Sequence, residues 1–290
     1  MDKPWLNSYP AGVPRELPQP PYTSVLDMIN DCLQRYAERP AYTNMGTTLS
    51  YADLDAQSRD FAAYLQKNLG MMKGQRVAIM LPNVLQYPVA LFGLFRAGLV
   101  AVNVNPLYTA RELRHQLKDS GATTIVILEN FAHVLQEVIA DTDVKHVITT
   151  QVGDLLSFPK SALVNVALKY VKKAVPKYSL PQAVSFPKVM AAGRTQELAP
   201  MQLGYAGGTT GVSKGAMLSH RNMVYNVHQS KAWQGVVFDK IERIVAITAL
   251  PLYHIFSLEA NCLGMMLDGG ENILITNPRD MPGFVKEMGK

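Results

Sequence analysis

Short apolar strands alternating with amphipathic helices predict an α/β fold of mostly parallel sheets flanked by helices. Three stretches carry this. RVAIML (76–81) and LVAVNV (99–104) read as buried strands around the helical pattern of QYPVALFGLFRAG. TTIVIL (123–128) and HVITT (146–150) bracket a second helix around 131–140. IVAITA (244–249), SLEANCLGMML (257–267) and NILIT (272–276) repeat the strand–helix–strand order near the end.

The first helix, within 24–38, sets Val25, Met28, Ile29, Cys32, Leu33 and Tyr36 on one face. Ser50 caps a second helix that runs to Leu69, with Gly70 as its stop. In the third, Pro88 sits in the first turn and Gly98 just past the end. Thr109 with Glu112 forms a capping box that opens ARELRHQLKDSG. GAMLS (215–219) reads as a strand, HRNMVYNVHQSKAW as a helix capped by Ser219, and MPGFVKEMGK opens as a helix.

Composition narrows the class. The 290 residues are 48% hydrophobic and 18% charged, as in a globular protein. Cys32 and Cys262 are the only cysteines, too few and too far apart for a disulfide framework or a cysteine metal site. A reducing, cytoplasmic setting follows as the expectation. The N-terminus lacks the apolar core of a signal peptide and is broken by prolines. The longest apolar run, from Val89 to Val102, contains Arg96 and falls short of the roughly 20 residues of a membrane span.

The net charge of +5 comes from one segment. Residues 155–196, expected to be a basic connecting segment, contain Lys160, Lys169, Lys172, Lys173, Lys177, Lys188 and Arg194 and no acidic residue. A local excess of this kind argues against a nucleic-acid-binding protein. Within it, SALVNVALKYVKKAVPKY (161–178) spaces Val164, Leu168, Val171 and Val175 as one helical face. Two readings stay open: a basic amphipathic helix lying on an anionic membrane surface, or a helix packed on the domain with a solvated basic face.

The strongest chemical signal is YAGGTTGVSKGA, residues Tyr205, Ala206, Gly207, Gly208, Thr209, Thr210, Gly211, Val212, Ser213, Lys214, Gly215 and Ala216. A P-loop needs its lysine directly after a glycine and at the start of a helix; here Ser213 precedes Lys214 and Gly215 follows it. A dinucleotide fingerprint would have lost its first glycine to Ala206 and would bury Gly215 inside a helix. A loop between strands remains. Its glycines let backbone N–H groups approach a phosphate, its hydroxyls donate, and Lys214 supplies a point charge.

This loop, in YAGGTTGVSKGAMLSHRNM, resembles the phosphate loop of the adenylate-forming superfamily. WLNSYPAGVP, PNVLQYPVALFGLFRAG, VNVNPLYTARELRHQLKDSGA, ALPLYHIFSLEANCL and LITNPRDMPGFVKE look in turn like successive stretches of a bacterial long-chain fatty-acid–CoA ligase. The resemblance implies the N-terminal part of the acyl-CoA synthetase fold. It also implies a two-step reaction: a fatty-acid carboxylate attacks the α-phosphorus of ATP, pyrophosphate leaves with Mg²⁺, and the coenzyme A thiol displaces AMP. On the same ground Thr209, Thr210, Gly211 and Lys214 fall on phosphate-binding positions, and Tyr253, His254 and Phe256 line the acyl-adenylate pocket. Without the resemblance, His254 reads as a core histidine.

The sequence departs from that pattern at three places. Ala206 stands where the family usually has Thr or Ser, removing a donor worth on the order of 1.5–3 kcal/mol to a charged group. RTQELAPMQLGY is short and carries Pro200 where a strand would normally feed the loop. The aromatic-Gly-x-Thr-Glu stretch with the Mg²⁺-associated glutamate, the Thr-Gly-Asp that meets the ribose, and the C-terminal lysine domain are not in the 290 residues. The expectation is therefore a partial AMP-binding domain that is catalytically incomplete, located in the cytoplasm, with peripheral contact on the inner face of the membrane left open. The competing expectation is a fragment that binds nucleotide or acyl groups without turning them over.

Overall fold

A computed structural model describes residues 2–199 and 216–289. The strands described are β1 (Pro40–Asn44), β2 (Thr47–Ser50), β3 (Arg76–Met80), β4 (Val100–Asn103), β5 (Thr124–Leu128), β6 (His146–Thr150), β7 (Ala183–Ser185), β8 (Val245–Thr248) and β9 (Glu271–Leu274). They form two sheets. One is wholly parallel in the order β4-β3-β5-β6-β7. The other has the order β2-β1-β9-β8, parallel except for the β1–β2 hairpin. The α/β expectation with mostly parallel sheets holds.

The helices follow the local signals closely. Ser24 caps α1 (Val25–Arg35) by accepting from the Asp27 N–H, and the helix buries Val25, Met28, Ile29, Cys32 and Leu33. Ser50 and Asp53 form a full capping box at α2 (Tyr51–Lys67). Every residue of α3 (Gln86–Arg96) is buried, Arg96 included; its guanidinium pairs with Asp55 and donates to Ser58 Oγ at 3.0 Å. Thr109 and Glu112 box the start of α4 (Ala110–Ser120), which stops at Gly121 in the left-handed region, φ 60°. Helix α5 (Ala132–Val138) follows β5.

The five-stranded sheet is covered on both sides, as parallel sheets require. Val77 and Ile79 of β3 face the core built with α1, α2 and α3, whereas Ala78 and Met80 face the one built with α4 and α5. The 155–196 span does more than connect. It supplies α6 (Lys160–Val166), strand β7 and α7 (Phe186–Gly193). Phe186 stacks on Phe61 of α2 at 5.5 Å, and a Cβ on Gly193 would lie 1.9 Å from the Asp60 carbonyl oxygen. Only glycine allows that approach.

Two expectations are corrected. Residues 216–219 of GAMLS form no strand; Ser219 is instead the extended N-cap of α8 (His220–Phe238), boxed with Asn222. The four residues are spent entering a helix, and no strand pairs with them among the described residues. The helix expected over 161–178 is shorter. After α6 it widens into a π-helical turn, Ala167–Val171, and ends there. Lys173 takes φ 49°, and Val175 precedes Pro176, a position that disfavours helix. Strands β1, β2 and β7 and helix α7 were not anticipated.

Candidate functional site

The parallel strands β1, β3, β4, β5, β6, β8 and β9 point their carboxyl ends at one cavity of about 790 Å³. It is lined by residues at or just beyond those ends: Asn44 and Met45 after β1, Asn83 after β3, Leu107 after β4, Leu128 and Phe131 after β5, Val152 after β6, Pro251 and Tyr253 after β8, and Leu274 and Ile275 of β9. The crevice beyond strand carboxyl ends is where open α/β sheets bind ligands. Leu168 and Lys172 close one side, and Arg279, Phe284 and Glu287 another. The walls are mostly apolar, and the charges at the edge are of both signs, Lys172 and Arg279 with Asp280 and Glu287.

A buried polar network fixes the cavity's rim. Asn83 Nδ2 donates to the carbonyls of Thr248 (2.9 Å) and Leu250 (3.0 Å), and its Oδ1 accepts from the Leu252 N–H at 2.8 Å. Thr248 Oγ1 donates to Asn272 Oδ1 at 2.8 Å, and Asn44 Nδ2 donates to the Leu274 carbonyl at 2.9 Å. Tyr87, buried in α3, donates its hydroxyl to the Leu252 carbonyl at 2.8 Å. The ends of β1, β8 and β9 and the turn after β3 are therefore tied together, and the loop 249–254 is held by Asn83 and by Tyr87 of α3. In a low-dielectric interior such fully paired groups hold one geometry.

On that loop the three expected pocket residues separate. Tyr253 lines the cavity, and its hydroxyl donates to Asn105 Oδ1 at 3.1 Å. Burial raises its pKa, so the phenol stays a neutral donor at physiological pH. His254 is exposed, not a core residue. Its Nδ1 accepts from the Phe256 N–H at 3.3 Å and caps the short helix Ile255–Ser257, which leaves the proton on Nε2, pointing away from the cap. Phe256 is also exposed, and neither side chain is among those lining the cavity.

Tyr205–Gly215 lie outside the described residues; Ala216 is described and exposed. The chain on either side is anchored. Gln66 of α2 exchanges two hydrogen bonds with the backbone of Ala199, at 3.0 and 3.3 Å. Beyond the loop, Leu218 packs against the main core, and His220 Nδ1 accepts from the Val25 N–H at 3.2 Å. Among the described residues no group of three His, Cys, Asp or Glu side chains could hold a metal ion. No described helix is long and apolar enough to cross a membrane.

Sequence reasoning missed Asn44, Asn83, Thr248 and Asn272. For Asn44, Asn83 and Thr248 the one signal is a polar residue at or just past a strand end, which by itself also fits an ordinary turn; Asn272 lies within β9 and gives no such signal.

Comparison with known proteins supplies the context for this site. The profile of the family described as AMP-binding enzyme matches residues 29–289. A long-chain-fatty-acid–CoA ligase of Escherichia coli O157:H7 is 55% identical over all of this chain and 53% of its own length. One from Bacillus subtilis is 32% identical over 89% of this chain and 47% of its own. Among solved structures, a long-chain-fatty-acid–CoA ligase from Archaeoglobus fulgidus superposes with a TM-score of 0.68 at 23% identity, over 97% of this chain and 52% of that one. At that identity the likeness shows the fold. The chain spans about half the length of the curated relatives it matches.

Proposed function

We propose, from the premise that the chain belongs to the AMP-binding enzyme family, that it serves the ATP-dependent activation of a long-chain fatty acid. The observation that carries this is the apolar-walled cavity at the strand ends, of a size for an acyl chain and rimmed by the Tyr253 loop. The fatty-acid carboxylate attacks the α-phosphorus of ATP, expelling pyrophosphate and forming an acyl-adenylate. The coenzyme A thiol then adds to the acyl carbon, expelling AMP and losing its proton to solvent.

The chain's own contribution to the first step is electrostatic. Backbone N–H groups of Gly207, Gly208 and Gly211, hydroxyls of Thr209, Thr210 and Ser213, and the Lys214 ammonium neutralise the leaving phosphates. Mg²⁺ would enter with the nucleotide, bound to its phosphates. Tyr253 donates into the cavity's rim, and His254 offers its Nε2 proton to the carboxylate or adenylate from outside. We also propose the basic segment 161–178 as a contact with an anionic membrane surface, where long-chain acids are held.

The test is a paired assay on the 290-residue chain: ATP binding by calorimetry and pyrophosphate release with a long-chain acid present. Lys214→Ala should weaken ATP binding about tenfold or more, the scale of one charge-assisted hydrogen bond. ATP binding without pyrophosphate release favours a binding role for these residues. No ATP binding overturns the assignment.

A further inference from the structure

Residues 2–23 lead into α1 with a single 3₁₀ turn, Pro4–Ser8, and Val13 is the one buried side chain among them. An arm of this kind has no core of its own to fold around. It is laid instead along one helix, α8. Tyr9 meets the Trp233 ring edge-on at 4.9 Å, a Cβ on Gly12 would lie 3.5 Å from Val236, and the Tyr225 hydroxyl donates to Gln19 Oε1. At the arm's end the Val25 N–H donates to His220 Nδ1 at 3.2 Å. The contacts pass from the last turns of α8 back to its first as the arm runs forward. The arm therefore lies antiparallel to α8 over nearly the helix's full length.

The pairing suits both parts. Helix α8 buries only Met223, Val224, Val227 and Gly235 of its 19 residues, which leaves Tyr225, Trp233 and Val236 for the arm to meet. Pro10, Pro14, Pro18, Pro20 and Pro21 stiffen the arm before it docks, which lowers the entropy lost in laying it down. Its end is fixed to α1: the Tyr22 hydroxyl donates to Asp31 at 2.6 Å, and the Thr23 N–H donates to Asp27 at 3.0 Å.

Position gives this contact a consequence. Helix α8 is capped by Ser219, three residues past Ala216, where the glycine-rich stretch 205–216 ends. Three elements hold its first two turns. They are α1 through the Val25 N–H, α3 through Phe95, whose ring stands edge-on to His220 at 5.6 Å, and the arm through Gln19 on Tyr225. Tyr9 on Trp233 holds the far end. A helix held at both ends has a fixed axis, and the chain that enters it starts from a fixed point.

We infer that residues 4–23 form a strap that sets the position of α8 and, through it, the affinity of 205–216 for the phosphates of ATP, with Tyr9 and Gln19 as positioning residues. The coupling to ATP rests on the reading that 205–216 holds those phosphates; the strap does not.

The experiment uses the 290-residue chain and two variants. Tyr9→Ala with Gln19→Ala removes both contacts, whereas Tyr9→Phe with Gln19→Glu keeps a ring beside Trp233 and an acceptor for Tyr225. Hydrogen exchange at amides 220–236 should quicken about tenfold or more in the alanine variant only, with β3 and β5 unchanged in both. ATP binding by calorimetry should weaken about fivefold in the alanine variant and be restored in the conservative one. Exchange at 220–236 that is unchanged in the alanine variant, or equally fast in both, overturns the strap. Faster exchange at β3 and β5 as well marks a general loss of stability and overturns the positioning role. Faster exchange of α8 with ATP binding unchanged overturns the coupling. Failure of the parent to bind ATP overturns the phosphate reading of 205–216 and the coupling with it, while exchange still decides the strap.

Discussion

Asn83 bonds to the backbone of residues 248, 250 and 252, and so sets where Tyr253 meets the cavity. Asn83→Ala should lower stability by about 2–4 kcal/mol, because it strands two carbonyls and one N–H in a buried site; urea denaturation measures this. Nothing in the sequence ranks Asn83 above other asparagines, since its partners lie about 165 residues away. Ala206 is the opposite case, plain in the sequence and outside the described structure. Ala206→Thr should tighten ATP binding up to about tenfold if the family's missing hydroxyl matters, and calorimetry reads it. The two thiols give a pH prediction. Burial pushes both Cys32 and Cys262 up to about 12. The folded chain thus holds protons that the unfolded chain releases near pH 9, so these groups cost stability as pH rises from about 9 towards 12. At pH 8 a thiol reagent should find neither cysteine in the folded chain and both after unfolding; rapid reaction of the folded chain would contradict their burial.

At the scale of elements, α6 is tethered mainly through Asn165, whose side chain accepts from the Gly153 N–H and donates to Asp154. Asn165→Ala should speed hydrogen exchange of amides 160–172 about tenfold or more and leave β3 and β5 unchanged, since it removes local bonds only. The elements best read from sequence are those whose signals are local. The capping residues Ser50, Thr109 and Ser219 all act within three residues of themselves, and all cap as expected. Strand β1 was not legible in full because one of its two pairings is distant: Tyr42, Thr43 and Asn44 lie beside Asn272, Ile273 and Leu274 of β9. Its hairpin to β2 turns at Met45 and Gly46, with φ 49° and 75°, and Met is an unusual residue for that backbone. Strand β7 has only three residues, too few to show a period. The basic segment's charge was legible, but the face it presents was not, because a π-helical turn breaks the 3.6-residue spacing that a sequence reading assumes.

Across the whole molecule, two sheets built from distant parts of the chain aim their strand ends at one space. The fold class follows from alternation alone. The cavity does not, because it requires β1 and β9 to meet and the 160–174 segment to fold back over β5 and β6. The glycine-rich stretch 205–216 reads in the reverse way: the chemistry proposed for it rests on its residues, while the described chain is tied by Gln66 to Ala199 before it and enters α8 after it. We propose that the strand-end cavity holds the acyl chain. The most direct measurement is photo-crosslinking of the chain with a long-chain fatty acid carrying a diazirine, followed by mapping of the modified peptides. Labels are expected at 105–107, 128–131, 168–174 and 274–287, competed by unlabelled acid. Labels confined to other surfaces, or none that the unlabelled acid displaces, would contradict it.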